Sequence, residues 1–216
     1  MIIIYICSEA KGIYDYCKQI EPFPPGTFAQ INLESNKNFQ KELTFTRYYN
    51  YTYPILNIPF NQVGDKIRDV LYRSVKKRLM SDRTVGMFLS GGVDSSLIAA
   101  IAQNIANKNN IILETFSIGL KGSPDLENAQ IVAKHINTKH HEVVITIEDA
   151  IMALNDTIKH LESYDITTIR ASVPQYLLSK YIKENTDVTV ILSGEGADEI
   201  LGGYLYFHYA PNNTEF

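Results

Sequence analysis

One stretch near the middle of the chain, Thr84-Val85-Gly86-Met87-Phe88-Leu89-Ser90-Gly91-Gly92-Val93-Asp94-Ser95-Ser96, constrains the fold more than any other. Val85 to Leu89 is a short apolar run of the kind found in a parallel strand covered on both faces. Gly91 and Gly92 break that run, and glycine opens backbone angles that let the main chain approach a ligand closely. Asp94, Ser95 and Ser96 then stand at a helix start. The apolar positions Leu97, Ile98, Ile101, Ala102 and Ile105 carry that helix along one face. Strand, glycine turn and helix N-terminus together aim free N–H groups and the positive end of the helix dipole into the turn, with the hydroxyls of Ser90, Ser95 and Ser96 beside them. This is an anion site, and phosphate suits it.

No lysine follows the glycines, so the familiar G-x-x-x-x-G-K-[ST] loop is absent. A carboxylate, Asp94, sits inside the anion cradle instead and would repel a phosphate unless a cation came between them. Mg²⁺ shared between Asp94 and a polyphosphate removes that conflict. Ser90 to Ser96 resembles the S-G-G-x-D-S-S loop of the ATP pyrophosphatases, in which the β and γ phosphates of ATP leave together. The bland alternative is a serine-capped turn that binds nothing.

Strand and helix alternate on both sides of this loop. An apolar face at Val63, Ile67, Val70, Leu71, Val75 and Leu79 predicts a helix before it. After it come a strand at Leu113–Ile118, a helix from Pro124 through Ile136 and a strand at His141–Ile145. Thr146 to Asp149 forms a capping box for a helix whose Ile147, Ile151, Leu154, Ile158 and Leu161 face in. A helix from about Val173 to Lys183 and a strand at Val188–Leu192 complete the series. The expectation is an α/β fold with a doubly wound parallel sheet, its ligands at the carboxyl ends of the strands.

Residues 1–58 read differently. Ile2 to Ile6 is a β-rich run, Ser8 to Gly12 a short helical or turn segment, and Glu21 to Gly26 a rigid turn. Thr27–Leu33 and Leu43–Tyr53 read as two further strands. That is too little to close a sheet, so the segment is expected to be the end of another domain, joined by a connection around Tyr48–Pro59 to a second domain over 59–216. A net charge of −4 gives no basic surface for nucleic acid. Ile2 to Ile6 is too short for a signal or membrane segment, and Cys7 and Cys17 provide neither a disulfide framework nor metal spacing. A reducing cytoplasm is the expected setting.

A second glycine turn, Ser193-Gly194-Glu195-Gly196-Ala197-Asp198-Glu199, follows the last strand and runs on to Gly202-Gly203-Tyr204. Three carboxylates within five residues repel one another unless a metal, a basic ligand or solvent relieves them. The sharper reading places Asp198 with Asp94 on Mg²⁺ and Glu195 toward an acyl substrate. Thr167-Thr168-Ile169-Arg170, before a helix, suits a phosphate or carboxylate clamp, although an arginine there is commonly a surface ion pair. His140 and His141 point to opposite faces of a strand, and a packed role fits them better than zinc.

These turns, with Asp125 and its Gly119–Pro124 lead-in, the Tyr164–Ser172 stretch, Phe23-Pro24-Pro25-Gly26 and Gly203–His208, strongly resemble glutamine-dependent asparagine synthetase. The resemblance implies a Rossmann-like fold of the adenine nucleotide alpha hydrolase type, preceded by a β-rich remnant of a glutaminase domain. It implies that ATP and L-aspartate form β-aspartyl-AMP and pyrophosphate, after which ammonia, free or glutamine-derived from a separate glutaminase, gives asparagine. Leu89, Ile118, Ser193 and Gly194 would hold the nucleotide, and Ser90, Gly91, Gly92, Ser95 and Ser96 the pyrophosphate. Asp94 and Asp198 would carry Mg²⁺. Glu195 would be the acid–base or positioning residue, and Thr168 and Arg170 would act on the pyrophosphate or aspartate side. The chain departs from the pattern by opening Met1-Ile2 rather than with a nucleophilic cysteine, and by stopping at Phe216 where the family continues through a helical region. Ala197 stands where the family commonly has serine. The expectation is therefore a chain shortened at both ends that does not use glutamine itself, with an exposed edge that favours association, a homodimer included. The alternative is a non-catalytic remnant that binds nucleotide or a partner.

Overall fold

The computed structural model describes residues 3–30, 44–50 and 56–212. The outer parts of the expected strands at Thr27–Leu33 and Leu43–Tyr53, and much of the expected connection around Tyr48–Pro59, lie outside the described residues. The chain divides into two compact units, Met1–Ile58 and Pro59–Phe216.

In the first unit, a 3-10 turn at Ala10–Gly12 precedes two short strands, β1 (Thr27–Gln30) and β2 (Thr44–Arg47), which pair antiparallel. Gly26 turns the chain into β1 at a φ of +68°, and Phe23 meets the Phe45 ring edge-on at 5.2 Å. Ile3 to Ile6 forms no strand, contrary to expectation, and its side chains are exposed. A β-rich composition cannot make a strand without a neighbour to satisfy its backbone.

The second unit follows the expected alternation. Its elements are α1 (Phe60–Arg78), β3 (Val85–Phe88), α2 (Val93–Asn107), β4 (Glu114–Leu120), α3 (Pro124–Ile136) and β5 (Lys139–Ile145). Then come α4 (Ile147–Met152), α5 (Leu154–Leu161), α6 (Ile166–Asn185), β6 (Val190–Leu192) and the short α7 (Ala197–Leu201). The four strands β3 to β6 form one parallel sheet in the order β5-β4-β3-β6. The chain winds outward from β3 through β4 to β5, then crosses back to lay β6 on the other side of β3. The reversal makes the β3/β6 junction the topological switch point, where open α/β sheets leave a crevice at the strand carboxyl ends.

Each face of the sheet has its own core. On one, Met87 and Leu89 pack with Val75 of α1, Ala99, Ala102 and Ala106 of α2, and Ala129 and Ala133 of α3. On the other, Phe116 and Val188 pack with Leu178 and Ile182 of α6. Small residues bring α2 and α3 close to the strands, so α2 turns Ala99 and Ala102 inward while Leu97 is exposed, a correction to the predicted face. Gln103, fully buried on α2, accepts from Leu113 N at 2.9 Å and donates to Ile111 O at 3.0 Å, securing the approach to β4.

Two helix predictions change. The single helix expected after Thr146 is two, meeting at buried Ala153, although the capping box of Thr146 with Asp149 is present. Only Ala153 and Thr157 there are buried; Ile147, Ile151, Leu154, Ile158 and Leu161 are exposed rather than inward. The helix expected from Val173 begins at Ile166, because the Asp165 carboxylate caps it by accepting from Thr168 N at 2.8 Å. Pro174 therefore sits within α6, where it removes one backbone donor without ending the helix.

Candidate nucleotide site

Leaving β3, Leu89 N donates to Phe116 O at 2.8 Å, which prolongs the pairing with β4 by one residue. The chain then turns. Ser90 N donates to Ser95 Oγ at 3.2 Å, the two serine hydroxyls lie 3.0 Å apart, and Ser95 Oγ donates to Gly92 O at 3.3 Å. This small network closes the turn over the start of α2. Gly91 takes a φ of +81°, and a side chain there would strike Asn128 and Ala129 of α3. Gly92, by contrast, has an ordinary extended backbone and serves as the α2 N-cap. Lacking a side chain, it leaves the helix end uncapped. The first-turn N–H groups are thus available to an anion.

The second turn comes against the first from β6. A Cβ at Gly194 would lie 2.8 Å from Ser95 N and 2.9 Å from the carbonyl carbon of Asp94. The two loops, nearly a hundred residues apart in sequence, are in backbone contact at the switch point. Only glycine permits that approach. Glu195 N donates to Ser193 Oγ at 3.3 Å, and Gly196 at a φ of +92° starts α7, which carries Asp198 and Glu199.

Between these turns opens a cleft of about 240 Å³. Of the residues predicted from sequence, Leu89, Ser90, Gly92, Asp94, Ser95, Ile118, Ser193, Gly194, Glu195 and Asp198 line it. Gly91 shapes the turn from behind. The Ser96 hydroxyl does not line the cleft and is buried with no hydrogen-bond partner among the described residues. Thr168 and Arg170 do not reach the lining either. Both stand in the first turns of α6, where the Thr168 hydroxyl donates to the Asp165 cap at 2.8 Å and Arg170 is exposed. Gln175 and Leu178, further along the same helix, do line the cleft. Phe88, Phe116, Ser117, Asp125 and Glu199 line it too, and no role was predicted for them. The signal for Asp125 was its place, with the Gly119–Pro124 lead-in, in the family resemblance; Gln175 stands in no motif.

The lining carries five carboxylates, Asp94, Asp125, Glu195, Asp198 and Glu199, and no lysine, arginine or histidine. A polyphosphate could enter only with a cation to offset them. Asp94 and Asp198 offer oxygen donors of the type Mg²⁺ prefers. Among the described residues no group of three or more His, Cys, Asp or Glu is gathered for a metal. Mg²⁺ in nucleotide sites is commonly held by one or two carboxylates and by phosphate oxygens rather than by a protein cage. Glu199 is held below the usual carboxylate range by the hydrogen bond from the Tyr204 hydroxyl, whose own pKa that bond raises to about 12.

The two histidines lie outside this cleft. His140 has Nδ1 3.0 Å from Thr115 Oγ1 and Nε2 3.0 Å from Ser117 Oγ, and burial holds its pKa below the ordinary value. His141 stacks on Phe116 at 4.8 Å and sets Nε2 2.6 Å from Glu114.

A family model described as asparagine synthase matches residues 66–216, about two-thirds of the chain and the whole of the cleft. The chain belongs to the asparagine synthase family. The glutamine-hydrolysing asparagine synthetase of Triphysaria versicolor is 43% identical over 222 residues, covering 99% of this chain and 36% of that protein. A probable asparagine synthetase of Acanthamoeba polyphaga mimivirus is 42% identical over 230 residues, covering 99% of this chain and 41% of that protein. The chain thus spans well under half the length of these curated relatives. Among solved structures, the glutamine-dependent NAD+ synthetase of Acinetobacter baumannii superposes with a TM-score of 0.46 at 18% identity, over 82% of this chain and 31% of that one, too loose a likeness to carry any argument. No helix among the described residues is long and apolar enough to cross a membrane.

Proposed function

We propose that this cleft binds ATP with Mg²⁺ and activates L-aspartate as β-aspartyl-AMP, releasing pyrophosphate, for amidation by ammonia to L-asparagine. The observation that carries the reading is the backbone contact of Gly194 with Asp94 and Ser95, which brings the two family turns together where a nucleotide would lie. Leu89, Ile118, Ser193 and Gly194 take the nucleoside. Ser90, Gly91, Gly92, Ser95 and Ser96 form the turn that takes the departing pyrophosphate, with the α2 N-terminus behind it. Asp94 and Asp198 hold the Mg²⁺ ion, which offsets the charge of the separating phosphates. Glu195 handles or positions the aspartyl group. Thr168 and Arg170, expected as a clamp on the aspartate or pyrophosphate side, stand at the start of α6 outside the cleft lining and are given no part in it. Residues 1–58 are assigned to the end of a glutaminase domain and its linker, residues 59–216 to the synthetase domain, and the setting to the cytoplasm. Ammonia comes free or from a separate glutaminase.

The test has two arms. Calorimetry should detect ATP binding that requires Mg²⁺, and labelled pyrophosphate should enter ATP only when aspartate is present. Failure to bind ATP with Mg²⁺ overturns the nucleotide assignment. Exchange driven by another carboxylic acid but not by aspartate overturns the substrate.

A further inference from the structure

The wall of the cleft formed by α7 is tied to the turn that follows it. The α7 helix ends at Gly202 with a φ of +67°, and Gly203 N donates back to Asp198 O at 3.0 Å. Gly203 then packs so tightly on Asp198 that an added Cβ would overlap its carboxylate. The next residue, Tyr204, donates its hydroxyl to Glu199 Oε1 at 2.8 Å. Its ring stacks on Tyr206 at 5.2 Å and 13° and leans on Phe207 at 5.9 Å. Two neighbouring carboxylates of one wall are therefore fixed by one short turn, one by contact and the other by a hydrogen bond.

These two carboxylates stand in different positions. Among the described residues the Asp198 carboxylate has no donor of this kind, whereas Glu199 is held by a phenol that stands in an aromatic stack. An unpinned Glu199 would be a mobile negative charge beside Asp198, in a lining that carries four other carboxylates. It would compete for the cation or repel the polyphosphate. A phenol can hold a carboxylate without adding a positive charge that would itself attract the phosphates.

Resting on the reading of the cleft as a nucleotide site, we propose that Tyr204 is a positioning residue that fixes the Glu199 carboxylate at one place in the lining, so that it does not swing to compete with Asp198 for the cation or to repel the polyphosphate. Tyr204 does not itself line the cleft and acts through Glu199. The hydroxyl matters for this and the ring does not, so Tyr204→Phe keeps the stack and removes only the latch.

The test is calorimetric titration of MgATP, and of adenosine as a probe without phosphate, into wild type, Tyr204→Phe, Glu199→Gln and the double variant, with thermal melting of each. Tyr204→Phe should weaken MgATP about tenfold, in keeping with the loss of one contact to a charged group, and leave adenosine unchanged. Neutralising the freed side chain in the double variant should restore MgATP affinity to within about twofold of Glu199→Gln alone. Unchanged MgATP affinity in Tyr204→Phe overturns the proposal. So does an equal loss for adenosine, or a loss that the double variant does not restore, since either would make the hydroxyl a structural support only. Wild type that fails to bind MgATP would instead remove the nucleotide reading on which the proposal rests.

Discussion

The parallel sheet has a depression at each end, and the two contrast. At the amino ends of β3 and β6 lies the larger, about 880 Å³, bordered by Asp82, Arg83 and Thr84 and by Lys183, Thr186 and Asp187. At the carboxyl ends lies the smaller, about 240 Å³, enclosed by two glycine turns and a helix N-terminus. The larger carries mixed charge on exposed side chains and has no glycine in its lining. In the smaller, the backbone itself approaches the ligand space and carboxylates face one another across it. Volume therefore does not pick out the site. The direction of the strands does: each β-to-α crossover leaves its helix N-terminus and its turn at the carboxyl end, so binding chemistry accumulates there.

The contrast breaks most sharply at Gly194. Gly194→Val places side-chain atoms where Ser95 N now lies 2.8 Å from an ideal Cβ, so the two turns must part. MgATP affinity is expected to fall by about a hundredfold, the scale of effect an ångström of misplacement can have. Calorimetry checks it against Thr189→Val at the opposite end, which should bind as wild type does. Next in size is Asp94→Asn. Loss of one charge-assisted contact to the cation should weaken MgATP by about tenfold or more. Asp165→Asn, which touches only the α6 cap, should leave affinity close to wild type. Equal affinity in both variants would remove the metal bridge from the account.

A smaller effect should appear at Glu114, near the start of β4 and away from the cleft. Burial alone would raise its pKa, but hydrogen bonds from Lys139 and His141, and their charges, outweigh it and hold the group below its ordinary value of 4.5. A carboxylate whose folded pKa is depressed adds stability above its unfolded pKa, and that stability is lost as pH falls through the folded value. Glu114→Gln should therefore melt below wild type at neutral pH, with the gap closing once pH drops below about 4.5. A gap that is constant with pH would assign the loss to packing instead. The smallest effect is expected for Arg83→Ala and Lys183→Ala, each within about 0.5 kcal/mol of wild type in stability and without effect on MgATP.

The loops were the most legible part of the sequence because glycine, aspartate and serine each act there through a local rule. The turn at Ser90–Ser96 and the capping box at Thr146 both depend on neighbours within a few residues. Alternating strand and helix likewise gave the parallel sheet. What depends on distant partners was harder to read. Ile147, Ile151 and Leu161 keep a helical apolar period yet are exposed, because burial is decided by what packs on them and not by spacing. Gln175 reaches the cleft only because α6 starts as early as Ile166 and packs on the sheet, and no motif marks it. Thr168 and Arg170 looked like a clamp by residue type, yet the Thr168 hydroxyl is engaged by Asp165 and neither side chain lines the cleft.

Backbone hydrogen exchange with and without MgATP compares the two ends of the sheet in one measurement. The account predicts new protection over residues 88–96, 116–119 and 193–199, with residues 82–84 and 182–189 exchanging as before. Protection confined to 82–84 and 182–189 would place the nucleotide in the larger cavity and contradict the claim that the site is built at the strand carboxyl ends.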